Sequence, residues 1–291
     1  MTDPAGDPVL VLGATGTQGG AVARALLASG HTVGALVRDP ASARARSLAE
    51  AGAALVRGDL LDGEALARAF AGAGAVYAVT TPFAHGPAEE ERQGAQIIDA
   101  AVRAGLPWLI LASVAAAGRA AVPHFASKAR IEQRLRETAV PWTVIAPSYF
   151  YENLDGSGAA IGAGRLSLPL PADKPLHQVA LADLGALVAA VLGRRDEHLG
   201  VRVEVAGDAP TPQAMAAALG VRYERVPSAV IRRRSEDLAA MYEFLAHEGY
   251  GIDVEALRDR YPEVPWTSFH DWAAGFRGRL GRSPDVSGSA S

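Results

Sequence analysis

Cysteine is absent from the 291-residue sequence, which excludes disulfide bonds, thiolate catalysis and zinc or iron–sulfur sites ligated by cysteine. Basic residues are outnumbered by acidic ones, and the net charge of −4 differs from the basic excess of nucleic-acid-binding proteins. No apolar run approaches the ~20 residues that cross a bilayer, and the opening MTDPAGDP lacks the basic and apolar regions of a signal peptide. The seven histidines have no metal-ligand spacing. We therefore expect a cytoplasmic protein that binds no nucleic acid, no membrane and no metal.

Strand-like and helix-like segments alternate through the first half of the chain. Short, mostly apolar segments that predict strands lie at 9–13, 31–37, 53–57, 74–80, 107–113 and 141–147. Helical patterns lie between them at 17–29, 41–51, 62–71, 88–104 and 124–138. Continuous apolar strands are typical of sheets covered on both faces, and their alternation with helices indicates a parallel α/β sheet. We predict a Rossmann-type, doubly wound domain over residues 7–150.

The pattern changes after residue 150. Residues 155–175 are rich in glycine and proline and predict loops with one short strand. Beyond them, a helix is predicted at 181–192, a strand at 201–207, and further helices near 211–219, 234–248 and 267–278. We expect residues 151–280 to form a smaller substrate or partner lobe over the carboxyl edge of the sheet, with helix 180–192 returning to the first domain. Residues 281–291 are predicted to be a disordered tail.

Three glycines lie between the first predicted strand and the first predicted helix. In VLVLGATGTQGG, Gly13 would permit a tight turn, Gly16 would let the backbone approach a pyrophosphate, and Gly19 would allow close helix–strand packing. The helix N-terminus would then present free N–H groups to the anion. The pattern predicts a dinucleotide site, although a glycine-rich turn without a ligand is the alternative. The other loop residues predicted to contact the cofactor are Thr15, Thr17 and Gln18.

The end of the second predicted strand favours one dinucleotide over the other. An acidic residue there would bond the ribose 2′-hydroxyl of NAD, but this sequence has Arg38, which can bind a 2′-phosphate. We therefore favour NADP(H) over NAD(H); the alternative is that Arg38 is an ordinary surface charge. Asp39 could cap the next helix. Asp59, after the third strand, could accept a hydrogen bond from the adenine amino group or open a turn.

Several motifs, taken in order, resemble the NmrA-like family of atypical short-chain dehydrogenase/reductases. They are LGATGTQGGAVARALLASGH, VRDP, RGDLLD, LASVAAAG and HFASKARIEQRLRETAVPWTVIAPSYFYEN, followed by the helix HQVALADLGALVAAVL. Together they span residues 8–192. The resemblance implies a Rossmann-type domain and, in many members, NADP binding. It also implies one of two functions, which are reduction of small molecules such as quinones and phenolic natural products, or redox sensing by a regulatory protein without catalysis.

The resemblance also indicates catalytic candidates. The wider superfamily has Tyr-x-x-x-Lys on the fifth helix, where the lysine holds the nicotinamide ribose, and a serine at the end of the fifth strand. Here the matching residues are Ser113, His124 and Lys128, with histidine in place of tyrosine. His124 could polarise a carbonyl, Lys128 could deliver the proton, or the site could bind cofactor without chemistry. Alternatively, His124 is only a polar residue at a helix start, Lys128 a solvated lysine and Ser113 part of a turn.

Two further segments are predicted to line the site. Thr80, Thr81 and Pro82 follow the fourth strand and would pass the cofactor ribose and nicotinamide. In the family the segment 146–154 covers the nicotinamide, so Phe150 would pack on its ring. Tyr149, Tyr151 and Asn153 would reach substrate, and either tyrosine could replace the missing phenol. The alternatives are that Phe150 is an aromatic residue of the core and that Asn153 caps a loop.

These observations predict an NADP(H)-dependent oxidoreductase that acts on a small quinone-, enone- or aromatic-type substrate. The rival is a non-catalytic, NADP(H)-sensing regulatory protein that binds a protein partner. The missing tyrosine favours the rival, and the aromatic segment 146–154 favours the enzyme. A weaker third hypothesis is an isomerase that uses the nucleotide transiently. A homodimer is also possible.

Overall fold

The computed structural model describes residues 7–83 and 85–280, so the predicted disordered tail 281–291 lies outside the described residues. The strands in these residues are β1 Val9–Val11, β2 Val33–Val37, β3 Ala54–Arg57, β4 Ala75–Ala78, β5 Leu109–Ala112, β6 Trp142–Pro147, β7 Tyr149–Phe150, β8 Arg165–Leu168, β9 Gln178–Val179, β10 Val201–Val205 and β11 Arg222–Arg225. The helices through the first half are α1 Thr17–Ala28, α2 Ala43–Glu50, α3 Gly63–Phe70, α4 Pro87–Ala104 and α5 Pro123–Arg136. Those that follow are α6 Gly158–Gly162, α7 Leu181–Gly193, α8 Arg195–His198, α9 Pro212–Leu219, α10 Ser228–Arg232, α11 Glu236–His247, α12 Val254–Arg260 and α13 Phe269–Leu280.

The main sheet has seven strands in the order β3-β2-β1-β4-β5-β6-β10, and all neighbouring pairs are parallel. The chain moves outward from β1 in one direction and then from β4 in the other, so the strand order reverses between β1 and β4. Ligands of open α/β sheets bind outside the carboxyl ends of the strands at this reversal. The predicted doubly wound α/β fold with a smaller C-terminal region is therefore confirmed.

Both faces of the sheet are covered, which explains why its strands are apolar throughout. Alternate side chains of the first strand enter different cores, with Val9 and Val11 on one face and Leu10 and Leu12 on the other. Helices α1 and α7 cover the first face, where Gly185 permits close approach because a Cβ there would lie 2.6 Å from Ala25 Cβ. Helices α4 and α5 help to cover the second face.

The second half of the chain differs from its prediction in two places. The strand predicted at 201–207 was assigned to the smaller lobe, but β10 is the edge strand of the main sheet and pairs with β6. Residues 155–175, predicted as loops with one short strand, contain one strand, β8, and in addition the end of a 3-10 helix, Tyr151–Ser157, and α6. The alternation of residue types predicts a strand without saying which sheet it joins, so pairing over this distance could not be derived.

The remaining elements form a smaller region beside the carboxyl edge of the sheet. It contains the two-stranded sheets β8–β11 and β7–β9. One apolar cluster joins the 3-10 helix to α9 and α13, and another joins the loop after β5 and the start of α5 to α11. Helix α11 therefore packs directly against the part of α5 that has the catalytic candidates. No helix in the described parts of the chain has the length and apolar character needed to cross a membrane.

Candidate active site

A cavity of about 890 Å³ lies at the carboxyl ends of the main-sheet strands. Its volume falls in the range of small-molecule and cofactor sites. Its wall includes all but one of the residues predicted for the site, namely Gly13, Thr15, Gly16, Thr17, Gln18, Gly19, Arg38, Asp59, Thr80, Thr81, Pro82, Ser113, His124, Lys128, Tyr149, Phe150 and Asn153. The exception is Tyr151. The fold thus brings together residues that are far apart in the sequence.

The glycine loop forms a cradle made of backbone. Gly13 has φ +65°, a conformation that side-chain-bearing residues rarely adopt. A Cβ on Gly16 would lie 3.1 Å from the Gly13 carbonyl oxygen, and one on Gly19 would lie 2.3 Å from the same atom. Helix α1 begins at Thr17, and no side chain of the described residues caps its N-terminus. A pyrophosphate fits this cradle, because the first-turn N–H groups are left for an anion and no Cβ fills the space.

Two arginines lie near the end of the cavity formed by β1 and β2. Arg38 is exposed on the cavity wall directly after β2. Arg44, in the first turn of α2, donates to the Thr15 carbonyl oxygen at 3.4 Å. Sequence reasoning missed Arg44, although its place in the first turn after the β2 loop is a usable signal. Two guanidinium groups beside the glycine loop can accommodate a second phosphate.

The neighbouring aspartates act mainly on their own turns. Asp39 accepts a hydrogen bond from the Ala41 backbone N–H at 2.9 Å, while Ser42 caps α2. The alternative that Asp39 caps this helix is therefore wrong. Asp59 accepts from the Leu61 backbone N–H at 2.9 Å, and its side chain also lies on the cavity wall. The turn role of Asp59 is present in the structure, and an adenine contact stays a prediction.

Lys128 is bound in a buried ion pair. Its Nζ donates to the Thr80 carbonyl oxygen at 3.0 Å and to Thr80 Oγ1 at 2.9 Å, and it lies 2.8 Å from Glu90 Oε1. Glu90 is fully buried and also accepts from Thr80 Oγ1 at 3.0 Å and from Ser127 Oγ at 2.5 Å. An ammonium group has three N–H donors, and here each has an acceptor. Lys128 is thus part of the cavity wall rather than a solvated lysine.

His124 is held by an aspartate from the smaller region. Its Nδ1 lies 2.8 Å from each carboxylate oxygen of Asp237 on α11, and its backbone N–H donates to Asp237 Oδ1 at 3.1 Å. His124 is 7% exposed, and its ring packs edge-on against Phe125. The ring of Phe83 lies 5.7 Å away, centroid to centroid. His124 is thus more than an isolated polar residue at a helix start, and its role as a proton donor or carbonyl ligand stays a prediction.

Ser113 lies on the cavity wall but is not linked to the other two candidates. Its hydroxyl donates to Glu132 on α5, and Glu132 also pairs with Arg202 Nε at 3.0 Å and with Arg136 at 2.6 Å. No hydrogen bond among the described residues joins Ser113, His124 and Lys128 to one another. The three residues thus share one cavity wall, while the hydroxyl of Ser113 is engaged by a carboxylate in an ion-pair network, and a catalytic role for Ser113 stays a prediction.

The two tyrosines of the 146–154 segment lie in different surroundings. Tyr149 faces the cavity, and its hydroxyl lies 2.9 Å from that of Tyr242 on α11. Burial raises the pKa of Tyr149 and that of Tyr242, so neither phenol has the lowered pKa of a tyrosine that donates protons easily. Tyr151 is fully buried away from the cavity, and its hydroxyl donates to the Thr267 carbonyl oxygen at 3.1 Å.

The predicted substrate contact of Tyr151 is therefore corrected. In a strand, residues 149 and 151 would share a face. Strand β7 ends at Phe150, however, and the 3-10 helix begins at Tyr151, which turns this side chain toward Phe269 and Trp272.

A parallel, doubly wound sheet with a glycine cradle beside the strand-order reversal defines a Rossmann-type, NAD(P)-binding fold. The model of the NmrA-like family matches residues 6–273. The chain belongs to the NmrA-like family.

Curated relatives include oxidoreductases. The chain is 28% identical over 255 residues to the NAD(P)H azoreductase of Xenophilus azovorans, covering 75% of this chain and 87% of that one. It is 36% identical over 162 residues to the NmrA-like oxidoreductase FrzB of a Cladobotryum species. That match covers 50% of this chain and spans only 47% of the FrzB length.

Solved structures of similar fold include both enzymes and a regulator. NADPH-dependent quinone oxidoreductase QOR2 of Escherichia coli, in complex with NADPH, has a TM-score of 0.78 at 23% identity, covering 92% of this chain and 99% of that one. Citrobacter triphenylmethane reductase with NADP(H) has a TM-score of 0.79 at 20% identity, covering 92% and 99%. The negative transcriptional regulator NmrA with NAD has a TM-score of 0.77 at 20% identity, covering 96% and 99%. At these identities the likeness concerns the fold.

Proposed function

We propose that this protein is an NADP(H)-dependent reductase of a small, flat, quinone-, enone- or other aromatic-type substrate. The observation that carries the proposal is the continuity of one cavity, which joins the glycine cradle to a pocket with an apolar wall. That pocket is walled by Phe83, Phe125, Phe150, Met241 and Tyr242. Flat aromatic molecules pack well against such side chains. The names of the curated relatives, which include an NAD(P)H azoreductase, support reduction as the reaction class.

The chain's own residues would hold the cofactor along the strand ends. The backbone of Gly13, Gly16 and Gly19 and the first turn of α1 would bind the pyrophosphate. Arg38 and Arg44 would bind the 2′-phosphate, which is the basis for favouring NADP(H) over NAD(H). Thr81 and Pro82 would line the ribose and nicotinamide end. When bound, the cofactor supplies a hydride.

Lys128 would act at this end of the site through its neighbours. Because its three donors are engaged by Thr80 and Glu90, it fixes the chain after β4 on one side of the cavity. Phe150 would pack on the nicotinamide side of the segment after β6, while Tyr149 and Asn153 would offer polar contacts to substrate. The positions of these residues on the cavity wall support the proposed roles.

A second candidate function is an NADP(H)-sensing regulatory protein without catalysis. The histidine at position 124, in place of the superfamily tyrosine, is the observation that favours it. The NmrA regulator of the same fold binds NAD. A sensor would bind the nucleotide as tightly as an enzyme does, so binding alone does not separate the two functions.

One experiment separates them. Binding of NADPH and NADH is measured by calorimetry, and oxidation of NADPH is then followed at 340 nm with menadione, an azo dye, malachite green and a cyclic enone. We expect binding of NADPH in preference to NADH, and turnover of at least one acceptor. Binding without turnover of any acceptor would favour the sensor, and no binding of either nucleotide would contradict both functions.

A further inference from the structure

The proposed reduction requires a proton as well as a hydride for quinones and enones, and the superfamily tyrosine is missing. Lys128 is a poor source, because all three of its N–H groups are directed to acceptors at 2.8 to 3.0 Å. One of those acceptors is a carboxylate with no solvent exposure, so a proton leaving Lys128 would strand a buried negative charge. The hydroxyl of Tyr149 lies 2.9 Å from that of Tyr242, and burial raises the pKa of both phenols, so neither releases a proton easily. Among the described residues, this leaves one cavity-lining group on α5 with a proton to offer.

We infer that His124 is the proton donor and that Asp237, from the smaller region, is the residue that positions it. The carboxylate contacts Nδ1 with both oxygens at 2.8 Å and also accepts from the backbone N–H of His124. This arrangement selects the form with a proton on Nδ1. When both ring nitrogens carry protons, the second proton is on Nε2. The inference rests on the proposed function.

The ring edge opposite Asp237 is the one that can meet a substrate. His124 lies on the cavity wall, while Asp237 is not among the described residues that line it. Nε2 has no hydrogen-bond partner among the described residues, and it is not one of the fully buried, unpartnered atoms among them. The rings of Phe83 and Phe125 flank the imidazole and limit its rotation. The geometry resembles the acid–base histidines of hydrolases, in which a carboxylate fixes one ring nitrogen and leaves the other to react.

A quinone would gain one hydride from the bound cofactor and one proton from Nε2, so that both of its C=O groups become hydroxyls and the ring is reduced by two electrons to the hydroquinone. His124 would pass from imidazolium to neutral imidazole. Its Nδ1 proton would stay on the ring, in the hydrogen bond to Asp237. Water then returns a proton to Nε2. A triphenylmethane cation differs, because the hydride alone converts it to the neutral leuco form and no proton is needed.

Other titratable groups lie on the elements that pack around the imidazole. On its own helix, Lys128 is one turn away and is paired with Glu90 of α4. From α11, Asp237 makes the direct contact and Glu236 precedes it. His85 and Glu89 lie on the same cavity wall. Lys128 is thus paired with its own carboxylate, and the direct ionic contact of His124 is with the carboxylate of Asp237.

The test compares two acceptors in the same variants. Steady-state reduction of menadione, which needs a proton, and of malachite green, which needs none, is measured with NADPH for wild type, H124Q and D237N. We expect kcat for menadione to fall roughly 100-fold in H124Q and by a similar factor in D237N, while reduction of malachite green changes less than about threefold. Glu236→Gln, which removes the adjacent charge from α11, is the matched control and should alter neither reaction.

Two outcomes would overturn the inference. One is an equal fall for both acceptors in D237N, as expected if Asp237 only supports the fold, and the other is unchanged menadione reduction in H124Q. A readout without cofactor is nitrogen-15 NMR of the histidine rings, with the signals of His124 identified by their loss in H124Q. We expect neutral His124 to hold its proton on Nδ1. A proton on Nε2 instead would overturn the pairing even if no acceptor is turned over, whereas failure of turnover alone would count against the proposed function.

Discussion

The two ends of the cavity are built in different ways. At the cradle end the walls are backbone, because Gly13, Gly16 and Gly19 have no side chains and the first turn of α1 is uncapped by any described side chain. At the substrate end each polar side chain on α5 has a partner from another element, with Glu90 of α4 for Lys128 and Asp237 of α11 for His124. The backbone N–H groups of the cradle are left for a ligand, whereas the polar side chains at the substrate end are hydrogen-bonded to other parts of the protein.

Because of this difference, mutations at the two ends of the cavity should have different effects. Changes in the cradle should reduce nucleotide binding more than stability, because its N–H groups contribute little to the folded state without a ligand. Changes in the ion pairs at the substrate end should reduce stability as well, because removing one partner leaves a buried charge unpaired. Four predictions test this contrast.

The largest effect is expected from Gly19→Val. Its Cβ would lie 2.3 Å from the Gly13 carbonyl oxygen and 2.7 Å from the carbonyl carbon, so the loop must move away from α1. Because a displacement near 1 Å can cost about 100-fold in function, we expect NADPH binding, measured by calorimetry, to weaken by at least that factor. The overpacking should cost about 1–3 kcal/mol of unfolding free energy.

The control for this variant is Gly193→Ala. A Cβ at Gly193 meets no atom of the described residues within 4 Å, and the residue ends a helix. We expect unchanged binding and unchanged or slightly higher stability. If Gly19→Val bound NADPH as well as Gly193→Ala does, the cradle would not be the pyrophosphate site.

The second prediction concerns the buried ion pair. Lys128→Met leaves the carboxylate of Glu90, which has no solvent exposure, without its cation. We expect the unfolding free energy, measured with urea, to fall by about 3 kcal/mol. The double variant E90Q/K128M should recover much of this loss, because it removes both charges.

A surface pair provides the comparison. Arg134 and Asp99 lie 2.7 Å apart, and their side chains are 49% and 42% exposed. Arg134→Met should therefore cost less than about 1 kcal/mol. A loss of the same size in Arg134→Met and Lys128→Met, or no recovery in the double variant, would contradict a stabilising role for the Glu90–Lys128 pair.

The contrast between the two ends also explains what could be predicted from the sequence. The cradle is specified by residues close together in the chain, with Gly13, Gly16 and Gly19 between one strand and one helix. Arg38 follows from its place at a strand end. Arg44 was missed because contact with the loop depends on the angle at which α2 leaves β2.

The partners at the substrate end could not be predicted in the same way. Asp237 lies 113 residues after His124 in the sequence, and only the packing of α11 on α5 brings them together. Glu90 is one of several acidic residues in the first turns of α4, and no local pattern distinguishes the one that is buried. The error at Tyr151 arose from a change of local structure at a single residue, where the strand becomes a 3-10 helix.

The third prediction returns to the cradle end. Arg38→Ala should weaken NADPH binding by roughly 10- to 100-fold, because a charge-assisted hydrogen bond to the 2′-phosphate contributes about 1.5–3 kcal/mol. Arg44→Ala should have a smaller effect in the same direction. NADH, which has no 2′-phosphate, should bind all three proteins with similar affinity. Calorimetry with both nucleotides measures the change.

Arg24→Ala is the matched control for the arginine variants. Arg24 is exposed on α1, where it donates to Ser47 Oγ at 3.1 Å, and it does not line the cavity. Its loss should leave both affinities unchanged. If Arg38→Ala weakened NADPH and NADH binding equally, Arg38 would act on the loop and not on the 2′-phosphate.

The smallest effect is expected at His177, a half-buried residue whose Nδ1 has no hydrogen-bond partner among the described residues. Its Nε2 donates to the Ile252 carbonyl oxygen at 3.0 Å, while Nδ1 is buried without a hydrogen bond to any described residue. Burial, with the nearby charge of Lys174, lowers the pKa of His177. Between that lowered pKa and the ordinary value near 6.5, the unfolded chain binds more protons than the folded one, so stability rises with pH in this window. The contribution of neutral His177 to stability is thus complete above pH ~6.5 and is lost on acidification.

His177→Gln keeps a donor for the Ile252 carbonyl and removes the titration. We expect the unfolding free energy of wild type, measured with urea at pH 7.5 and 5.5, to fall more on acidification than that of His177→Gln. His270→Gln, at an exposed position on α13, should keep the wild-type pH dependence and so corrects for titrating groups elsewhere. The three proteins differ at single histidines, so a parallel fall in His177→Gln and wild type would mean that the folded protein accommodates a charged imidazole at 177. His177 would then be as accessible to solvent as the cradle, and the contrast between the two ends of the cavity would not extend to this part of the smaller region.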